Sequence, residues 1–269
     1  MTDLEKYFLQ FRRHITGIDK EIETPYGLKK LVYADWIASG RLYDPIEKRI
    51  MNDVGPLVGN THSESSATGI AMTTAYHYAQ KIVKQHVGAG EDDVILFTGT
   101  GMTSAIAKLQ RILGLKVPEQ AMKYCAFTSG KYQSCKDVPS RNRPVVFLTH
   151  TEHHSNHTSW FETLADVVVL QPGPDLKVNP EALKKEIIKY LDRPLLIGSF
   201  SGCSNVTGYF PPYRELARIM HEHGGYCFVD FAASAPYVEI NMHPEDKMQE
   251  LDAVFFSPHK FLGGPGSAG

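Results

Sequence analysis

The stretch PLLIGSFSGCSNVTGYFPPYRELARIMHEHGGYCFVD, residues 194–230, decides the fold. It opens with a continuously apolar run and continues through a helical segment, 212–223, that two glycines close. It ends in a second apolar run, Tyr226–Asp230. Strands that are apolar at every position are typical of a sheet covered by helices on both faces. The stretch therefore predicts a strand, a helix and a second strand of a parallel sheet.

The same rhythm continues on both sides of residues 194–230. Further apolar runs predict buried strands, and helical periodicity predicts helices between them. The predicted strands are 94–97, 144–149, 166–170 and 252–257, and the predicted helices are 68–87, a helix that follows residue 101 and ends near 113, and 180–191. This alternation predicts an α/β fold with a mostly parallel, doubly wound sheet flanked by helices. Such sheets bind ligands beyond the carboxyl ends of their strands.

The chain before this alternation predicts a smaller N-terminal part. Apolar residues at helical spacing between positions 4 and 18 predict an amphipathic helix, and Pro25-Tyr26-Gly27 predicts a loop. A short strand is predicted at 30–34, and Asp44-Pro45 predicts the start of another helix. We expect residues 1–29 to form an N-terminal helical segment and residues 30–269 to form one large domain.

Composition excludes several classes of protein. The 269 residues are 42% hydrophobic and 22% charged, with a net charge of −2, which is typical of a globular protein and gives no reason to expect nucleic acid as a partner. No apolar run approaches the length of a membrane span, and the charged N-terminus lacks an apolar signal core. The four cysteines form no CxxC pair. These features predict a protein of the reducing cytoplasm.

A lysine and an aspartate follow two of the predicted strands. Lys260 comes shortly after 252–257, where partial desolvation lowers a lysine pKa and makes its amine a nucleophile. Ser257 and His259 beside it can bind an anion. Asp230 ends another strand and can hold a pyridine nitrogen protonated. An amine that forms an imine, together with a carboxylate for a pyridinium, is the pair that pyridoxal phosphate needs.

The segment TGTGMTS, residues 98–104, leads from a predicted strand into a helix. Its small residues and the backbone N–H groups at the start of the helix predict a phosphate site within this segment. The segment also partly matches the dinucleotide fingerprint GxGxxG, although Ser104 stands in place of the last glycine. An NAD-dependent oxidoreductase is therefore an alternative hypothesis.

Histidines are densest in HTEHHSNH, residues 150–157. The cluster raises the alternative of a metal hydrolase, but it lacks the HExxH order, and it follows a strand into a predicted loop where helical spacing is not assured. A flat imidazole above a cofactor ring explains one of these histidines equally well, and surface histidines in a polar loop explain the rest. After strand 194–200, Asn205 can donate a hydrogen bond to a ligand oxygen.

Residues 116–143 break the rhythm of strands and helices. The segment has no clear period and contains six basic residues against two acidic ones. A charge run of this kind usually forms a solvated face. We expect a basic insertion at the surface.

The motifs together resemble the class V aminotransferase family, whose members are pyridoxal phosphate enzymes of fold type I, and within it the branch of cysteine desulfurases and selenocysteine lyases. The resemblance rests on their order and spacing from about residue 30 to the end of the chain. The matching segments are YADWIAS at 33–39, GNTHS at 59–63, FTGTGM at 97–102, TEHHSN at 151–156, SNVTG at 204–208, VD at 229–230 and SPHK at 257–260.

The resemblance implies a role for each site residue and a homodimer whose partner subunit often completes the phosphate site. Lys260 would carry the cofactor as a Schiff base, Asp230 would pair with its ring nitrogen, His153 would stack on its ring and Asn205 would bind its ring hydroxyl. The phosphate would be held by Thr100, Gly101, Met102, Ser257 and His259. The implied substrate is an amino acid.

Two departures from the family pattern bear on the activity. Ala233 stands where desulfurases often have glutamine, three residues after the aspartate. The chain also stops nine residues after Lys260, so the resemblance predicts that the rest of the large domain and the small C-terminal domain are absent. We expect a desulfurase-like lyase slightly ahead of an aminotransferase. A catalytically incomplete fragment that binds the cofactor is the remaining alternative.

Overall fold

A computed structural model describes residues 1–118 and 139–269 of the chain, in which a two-stranded antiparallel sheet precedes a five-stranded parallel sheet. The strands are β1 Glu21–Thr24, β2 Gly27–Lys30, β3 Val145–Leu148, β4 Asp166–Val169, β5 Leu196–Ser201, β6 Tyr226–Asp230 and β7 Ala253–Phe255. The α-helices of the described residues are α1 Asp3–Arg12, α2 Asp44–Arg49, α3 Ala67–His86, α4 Met102–Ile112, α5 His154–Phe161, α6 Pro180–Ile187 and α7 Tyr213–Glu222.

Helices cover both faces of the parallel sheet. On β3, Val145 and Phe147 lie in one core cluster with residues of α6 and α7, whereas Val146 and Leu148 lie in a second cluster with residues of α4 and α5. All four side chains are fully buried. Successive residues of a strand point to opposite faces, which explains the continuously apolar runs. The predicted α/β fold with a doubly wound parallel sheet is confirmed.

The order of strands in this sheet is β4-β3-β5-β6-β7. The four strands β3, β5, β6 and β7 are therefore consecutive neighbours, and every pair in the sheet is parallel. Their carboxyl ends meet at one edge, which is where a sheet of this kind binds ligands.

The strand expected at 94–97 is not formed. Among the described residues no strand pairs with this run, and Val94 is 82% and Leu96 48% exposed. An apolar run becomes a strand only where a neighbour accepts and donates its backbone hydrogen bonds. Such bonds are made just beyond the run, where Thr98 exchanges two backbone hydrogen bonds with Gly269.

The strand expected at 30–34 is also wrong. An antiparallel hairpin stands before it, with β1 and β2 joined by Pro25 and Tyr26, and β2 ends at Lys30. The hairpin is exposed at nearly every position, so the alternation of buried and exposed residues that reveals a strand is missing. The first helix begins with a capping box between Thr2 and Glu5, and it is shorter than expected.

The described residues divide into two compact units. Unit 1 contains residues 1–85 and 258–267, and unit 2 contains 86–257 and 268–269. The sequence-based division into residues 1–29 and 30–269 stays a prediction. Of the expected basic insertion at 116–143, residues 119–138 lie outside the described residues. In the part of the chain that the structure describes, no helix is long and apolar enough to cross a membrane.

One histidine of unit 2 is held between two carboxylates. Nε2 of His243 lies 2.6 Å from Asp93 and Nδ1 lies 3.2 Å from Glu250, which also pairs with Lys247. The hydrogen bond to Asp93, followed by that to Glu250, raises the pKa of His243 above its usual 6.5, although burial acts against this. The charged imidazole therefore stabilises the folded chain.

We predict that His243→Gln lowers the midpoint of thermal unfolding most in acidic buffer. A raised pKa in the folded state gives a contribution that is complete below the unfolded value, about 6.5, and is lost as pH rises through the folded value. Thermal unfolding of both proteins between about pH 5.5 and pH 9 checks this, because the carboxylates stay ionised over that range. A difference between the two unfolding midpoints that grows toward alkaline pH would contradict the prediction.

Candidate active site

Four predicted site residues lie at or shortly after the carboxyl ends of four neighbouring strands. His153 comes after β3, Asn205 after β5, Asp230 ends β6 and Ser257 comes after β7. The strands lie side by side and are parallel, so the sheet places these residues along one edge of unit 2. This arrangement follows from the topology, since parallel strands present their carboxyl ends on the same side.

The start of α4 forms the predicted phosphate end of the site. Gly101 is the N-cap of the helix at φ 82°, a conformation that suits glycine, and this residue has no side chain with which to cap the helix. The buried Ser257 accepts the N–H of Met102 at 2.9 Å. This bond joins two predicted phosphate residues that lie 155 positions apart in sequence. Thr100, which is also a predicted phosphate residue, is exposed.

Asp230 is a buried carboxylate at the same edge. The residue is 5% exposed, and its Oδ1 accepts the N–H of Ala232 at 2.8 Å. In the sheet it is in register with Ser201 on β5 and Phe255 on β7. A carboxylate oxygen can accept more than one hydrogen bond, so Asp230 can also accept a proton-bearing ring nitrogen.

His153 is the N-cap of α5. Its Nδ1 accepts the backbone N–H of Ser155 at 3.2 Å and lies 2.8 Å from the Ser155 hydroxyl. The loop expected after strand 144–149 is therefore short, because a helix begins at the very next residue, His154. Asn205 lies in an exposed turn that Ser204 stabilises by accepting the N–H groups of Val206 and Thr207.

Lys260 and His259 belong to unit 1. They lie in a 3-10 turn, Pro258–Lys260, and both are partly buried. Burial, and then the neighbouring Lys260 ammonium, lower the pKa of His259 below its usual value. A neutral imidazole can still donate one hydrogen bond to an anion. The predicted site residues are thus divided between the two units.

Gly40 holds the turn that carries Lys260. Its N–H donates to the carbonyl of His259 at 2.9 Å, and the N–H of Gly263 donates to the backbone carbonyl of Arg41 at 2.7 Å. A Cβ on Gly40 would lie only 1.9 Å from the carbonyl oxygen of Phe261. No other residue type fits at position 40 unless the Lys260 segment moves away.

We predict that Gly40→Ala displaces this segment and destabilises the chain by about 2 kcal/mol. Urea denaturation measures the loss, and amide exchange is expected to accelerate within 258–267. Gly55→Ala is the matched control in the same unit, because a Cβ there would approach nothing closer than 3.4 Å. Equal exchange of 258–267 in the Gly40 variant and in the control would show that Gly40 does not hold the turn.

The other histidines of the cluster make local contacts. His150 Nε2 lies 3.0 Å from the carbonyl of Leu176, the ring of His154 is 6.0 Å from that of His153, and the ring of His157 packs on Phe161. Within residues 1–118 and 139–269, no three His, Cys, Asp or Glu side chains are placed to hold a metal ion.

The two described cysteines are buried thiols. Burial raises the pKa of Cys203, and burial followed by Asp252 raises that of Cys227. Because the thiolate is the nucleophilic form of cysteine, a raised pKa makes both side chains poor nucleophiles. Cys125 and Cys135 lie outside the described residues.

Glu152 is a residue of this edge that the sequence interpretation did not single out. It is partly buried beside His153 and accepts hydrogen bonds from Thr149, Asn156 and Ser201. The signal that could have revealed it is an acidic residue between a buried strand and a histidine. Gly40 gave no comparable signal, because its close approach to Phe261 exists only in the folded chain.

A family model decides the classification. The model of class V aminotransferases matches residues 133–268, about half of the chain. The chain belongs to the class V aminotransferase family. The matched range includes His153, Asn205, Asp230, Ser257 and Lys260, so these candidate residues lie inside the part of this class V chain that the family model describes.

Individual relatives point in the same direction. A probable cysteine desulfurase of Halalkalibacterium halodurans is 27% identical over 88% of this class V chain and 52% of its own length. A probable cysteine desulfurase of Halobacterium salinarum is 28% identical over 89% of this chain and 51% of its own length. The chain spans about half the length of these relatives.

Solved structures share the fold. The apo cysteine desulfurase of Thermococcus onnurineus NA1 superposes with a TM-score of 0.68 at 19% identity, over 97% of this chain and 55% of that chain. The cysteine desulfurase CsdA of Escherichia coli superposes with a TM-score of 0.64 at 21% identity, over 94% of this chain and 54% of that chain. At these identities the likeness supports the class V fold.

The residues of unit 2 fit the ring and phosphate of pyridoxal phosphate. Asp230 supplies a buried acceptor of the kind that a protonated pyridine nitrogen requires. Gly99 and Gly101 both have positive φ, and a helix whose N-cap is a glycine begins after them. Such a helix start with a nearby buried serine hydroxyl matches the chemistry of a phosphate monoester. In unit 1, Lys260 supplies a primary amine.

Proposed function

We propose that this chain is the cofactor-binding part of a pyridoxal phosphate enzyme that acts on an amino acid through Lys260. The observation that carries the proposal is the order of His153, Asn205, Asp230 and Ser257 after four consecutive parallel strands, within the range that the family model matches. The family match favours this function over the NAD-dependent and metal-dependent alternatives.

Each residue of the proposed site has a distinct task. Bound pyridoxal phosphate would supply an aldehyde that condenses with amines, with loss of water, and a ring that accepts electron density from the substrate Cα. Lys260 binds the cofactor and moves the proton at the substrate Cα. Asp230 keeps a proton on the ring nitrogen, and His153 orients the ring.

The remaining residues bind the two polar ends of the cofactor. The backbone at Thr100, Gly101 and Met102 holds the phosphate together with Ser257 and His259. Asn205 binds the ring hydroxyl. The N–H group of Met102 already donates to Ser257, so the hydroxyl proton of Ser257 is the donor that can face the phosphate.

The proposed reaction is a cysteine desulfurase-like lyase reaction. Its support is that the two relatives described above are each named a probable cysteine desulfurase. An aminotransferase is the second candidate, and the buried Ala233 favours it, since a methyl group cannot bind the ring hydroxyl as glutamine would. A fragment that binds the cofactor without turnover is the third, because the chain spans half of its relatives.

We propose a cytoplasmic homodimer whose interface includes unit 1. The only buried residues among 1–85 are Gly40 and Gly69, and α1 exposes large apolar side chains, with Leu4 68% and Tyr7 56% exposed. Exposed apolar surface of this extent is typical of an interface. Light scattering after gel filtration would give twice the mass of the chain, and the mass of a single chain would overturn this part of the proposal.

The visible absorbance of the purified chain with pyridoxal phosphate tests the cofactor assignment. We expect a yellow band that survives gel filtration and changes when cysteine is added. Product analysis with the longest available chain, in the presence of a thiol reductant, then separates the reactions: alanine, with sulfide released by the reductant, indicates desulfuration, whereas a keto acid without sulfide indicates transamination. A chain without a retained band, in both the short and the longer form, would refute the proposed function.

A further inference from the structure

A single, partly buried carboxylate joins three elements beside the proposed site. Oε1 of Glu152 accepts the hydroxyl of Thr149 at 2.7 Å and the N–H of Ser201 at 3.0 Å. Oε2 accepts Nδ2 of Asn156 at 2.6 Å and the hydroxyl of Ser201 at 2.9 Å. Thr149 directly follows β3, Ser201 ends β5 and Asn156 lies in the first turn of α5. Glu152 therefore ties two strand ends to the start of a helix.

The contacts of the buried Asn156 side chain fix which of its groups donates to Glu152. The indole N–H of Trp160 donates to Oδ1 of Asn156 at 3.3 Å, and the hydroxyl of Ser199 donates to the same oxygen at 2.6 Å. An indole N–H can only donate, so the Asn156 oxygen faces Trp160 and its amino group faces Glu152. Oε2 of Glu152 must therefore accept from Asn156, and Oε1 must accept from the backbone N–H of Ser201. A carboxylate can accept at both oxygens, whereas an amide has only one oxygen.

His153 lies between the two anchored residues. It follows Glu152 in sequence, and its carbonyl accepts the N–H of Asn156 at 2.9 Å. Glu152 thus holds the backbone on one side of His153, and Asn156 holds the backbone on the other side. The side chains of Glu152 and Asn156 are themselves joined by a hydrogen bond. The rotation of the imidazole is further limited by Ser155, which bonds to Nδ1.

We propose that Glu152 is a positioning residue that sets the place of the His153 ring and, through Ser201, holds the end of β5 in register with Asp230. The inference rests on the proposed function, because it assigns His153 and Asp230 to the cofactor. Burial raises the pKa of the Glu152 carboxyl, and the hydrogen bonds that it accepts act against this rise. The network explains why an acid is kept at this edge.

Glu152→Gln tests the proposal, with Ser199→Ala as the matched control. The control removes one buried hydrogen bond to Asn156 and none to Glu152. In the cofactor-free chain we expect Glu152→Gln to shift the NMR titration midpoint of His153 and to accelerate amide exchange at 153–156 by about tenfold. With pyridoxal phosphate, the dissociation constant is expected to rise about tenfold, and the pH midpoint of the visible band to move. Ser199→Ala is expected to lower only the unfolding temperature.

The outcomes separate this inference from the proposed function. A Glu152→Gln chain that unfolds earlier but keeps the wild-type His153 titration, amide exchange and cofactor affinity would overturn the positioning role. If neither the wild-type chain nor a longer form of it binds pyridoxal phosphate, the proposed function fails, and the cofactor-free measurements still decide the role of Glu152. Glu152→Asp, which keeps both acceptor oxygens on a shorter side chain, replaces the glutamine variant if that variant does not fold.

Discussion

Lys260→Ala will remove the covalent attachment of pyridoxal phosphate and lower the turnover of an amino acid by on the order of 10³-fold or more. The alanine side chain has no amine that could bind the cofactor or move the proton at the substrate Cα. Gel filtration with visible detection measures the attachment, and a product assay measures the turnover. The effect is expected to be large because the proposed function assigns two separate steps to this side chain.

Two further variants define what the Lys260 result means. Lys260→Arg keeps a positive charge but not a primary amine, and we expect the same loss. Lys185→Ala removes an exposed lysine of α6 and is expected to behave as wild type. A Lys260→Ala chain that retains the visible band through gel filtration would show that another amine carries the cofactor.

Asp230→Asn will lower kcat by on the order of 10²- to 10³-fold while the fold is retained. The amide is nearly the same shape, and its oxygen can still accept the N–H of Ala232 that Asp230 accepts at 2.8 Å. A neutral amide cannot hold a proton on the ring nitrogen, so the ring accepts less electron density from the substrate. Measurements of kcat, cofactor affinity and thermal unfolding on the same preparations separate these effects.

Asp192→Asn is the control for this prediction. Asp192 is exposed, so the same change of one charge leaves the proposed site untouched. We expect wild-type kcat for the control and a similar unfolding temperature for both variants. An Asp230→Asn chain with wild-type kcat would remove Asp230 from the mechanism, whereas one that fails to fold would assign this carboxylate a structural role.

The sheet could be predicted from sequence because its strands are buried on both faces. The run at 226–230 coincides with β6, and the long helix expected at 68–87 is shifted by a single residue. The run at 94–97 shows where such reasoning ends. Apolar residues favour a strand, but a strand also needs a neighbour, and no described strand pairs with this run. Pairing is a property of the folded chain that local composition does not contain.

The candidate site divides in a similar way. Asp230 and Ser257 could be predicted because polar residues after buried strands collect at one edge of a parallel sheet. Glu152 and Gly40 could not be predicted, since their importance lies in contacts with residues far away in sequence. Glu152 meets Ser201 across 49 positions, and Gly40 approaches the backbone of Phe261 from the N-terminal part of unit 1.

The most direct test of the account is peptide mapping after reduction. The wild-type chain is incubated with pyridoxal phosphate, treated with borohydride, digested and analysed by mass spectrometry. The account predicts one dominant adduct, on the peptide that contains Lys260. An adduct spread over surface lysines, or a dominant adduct on another lysine, would contradict it.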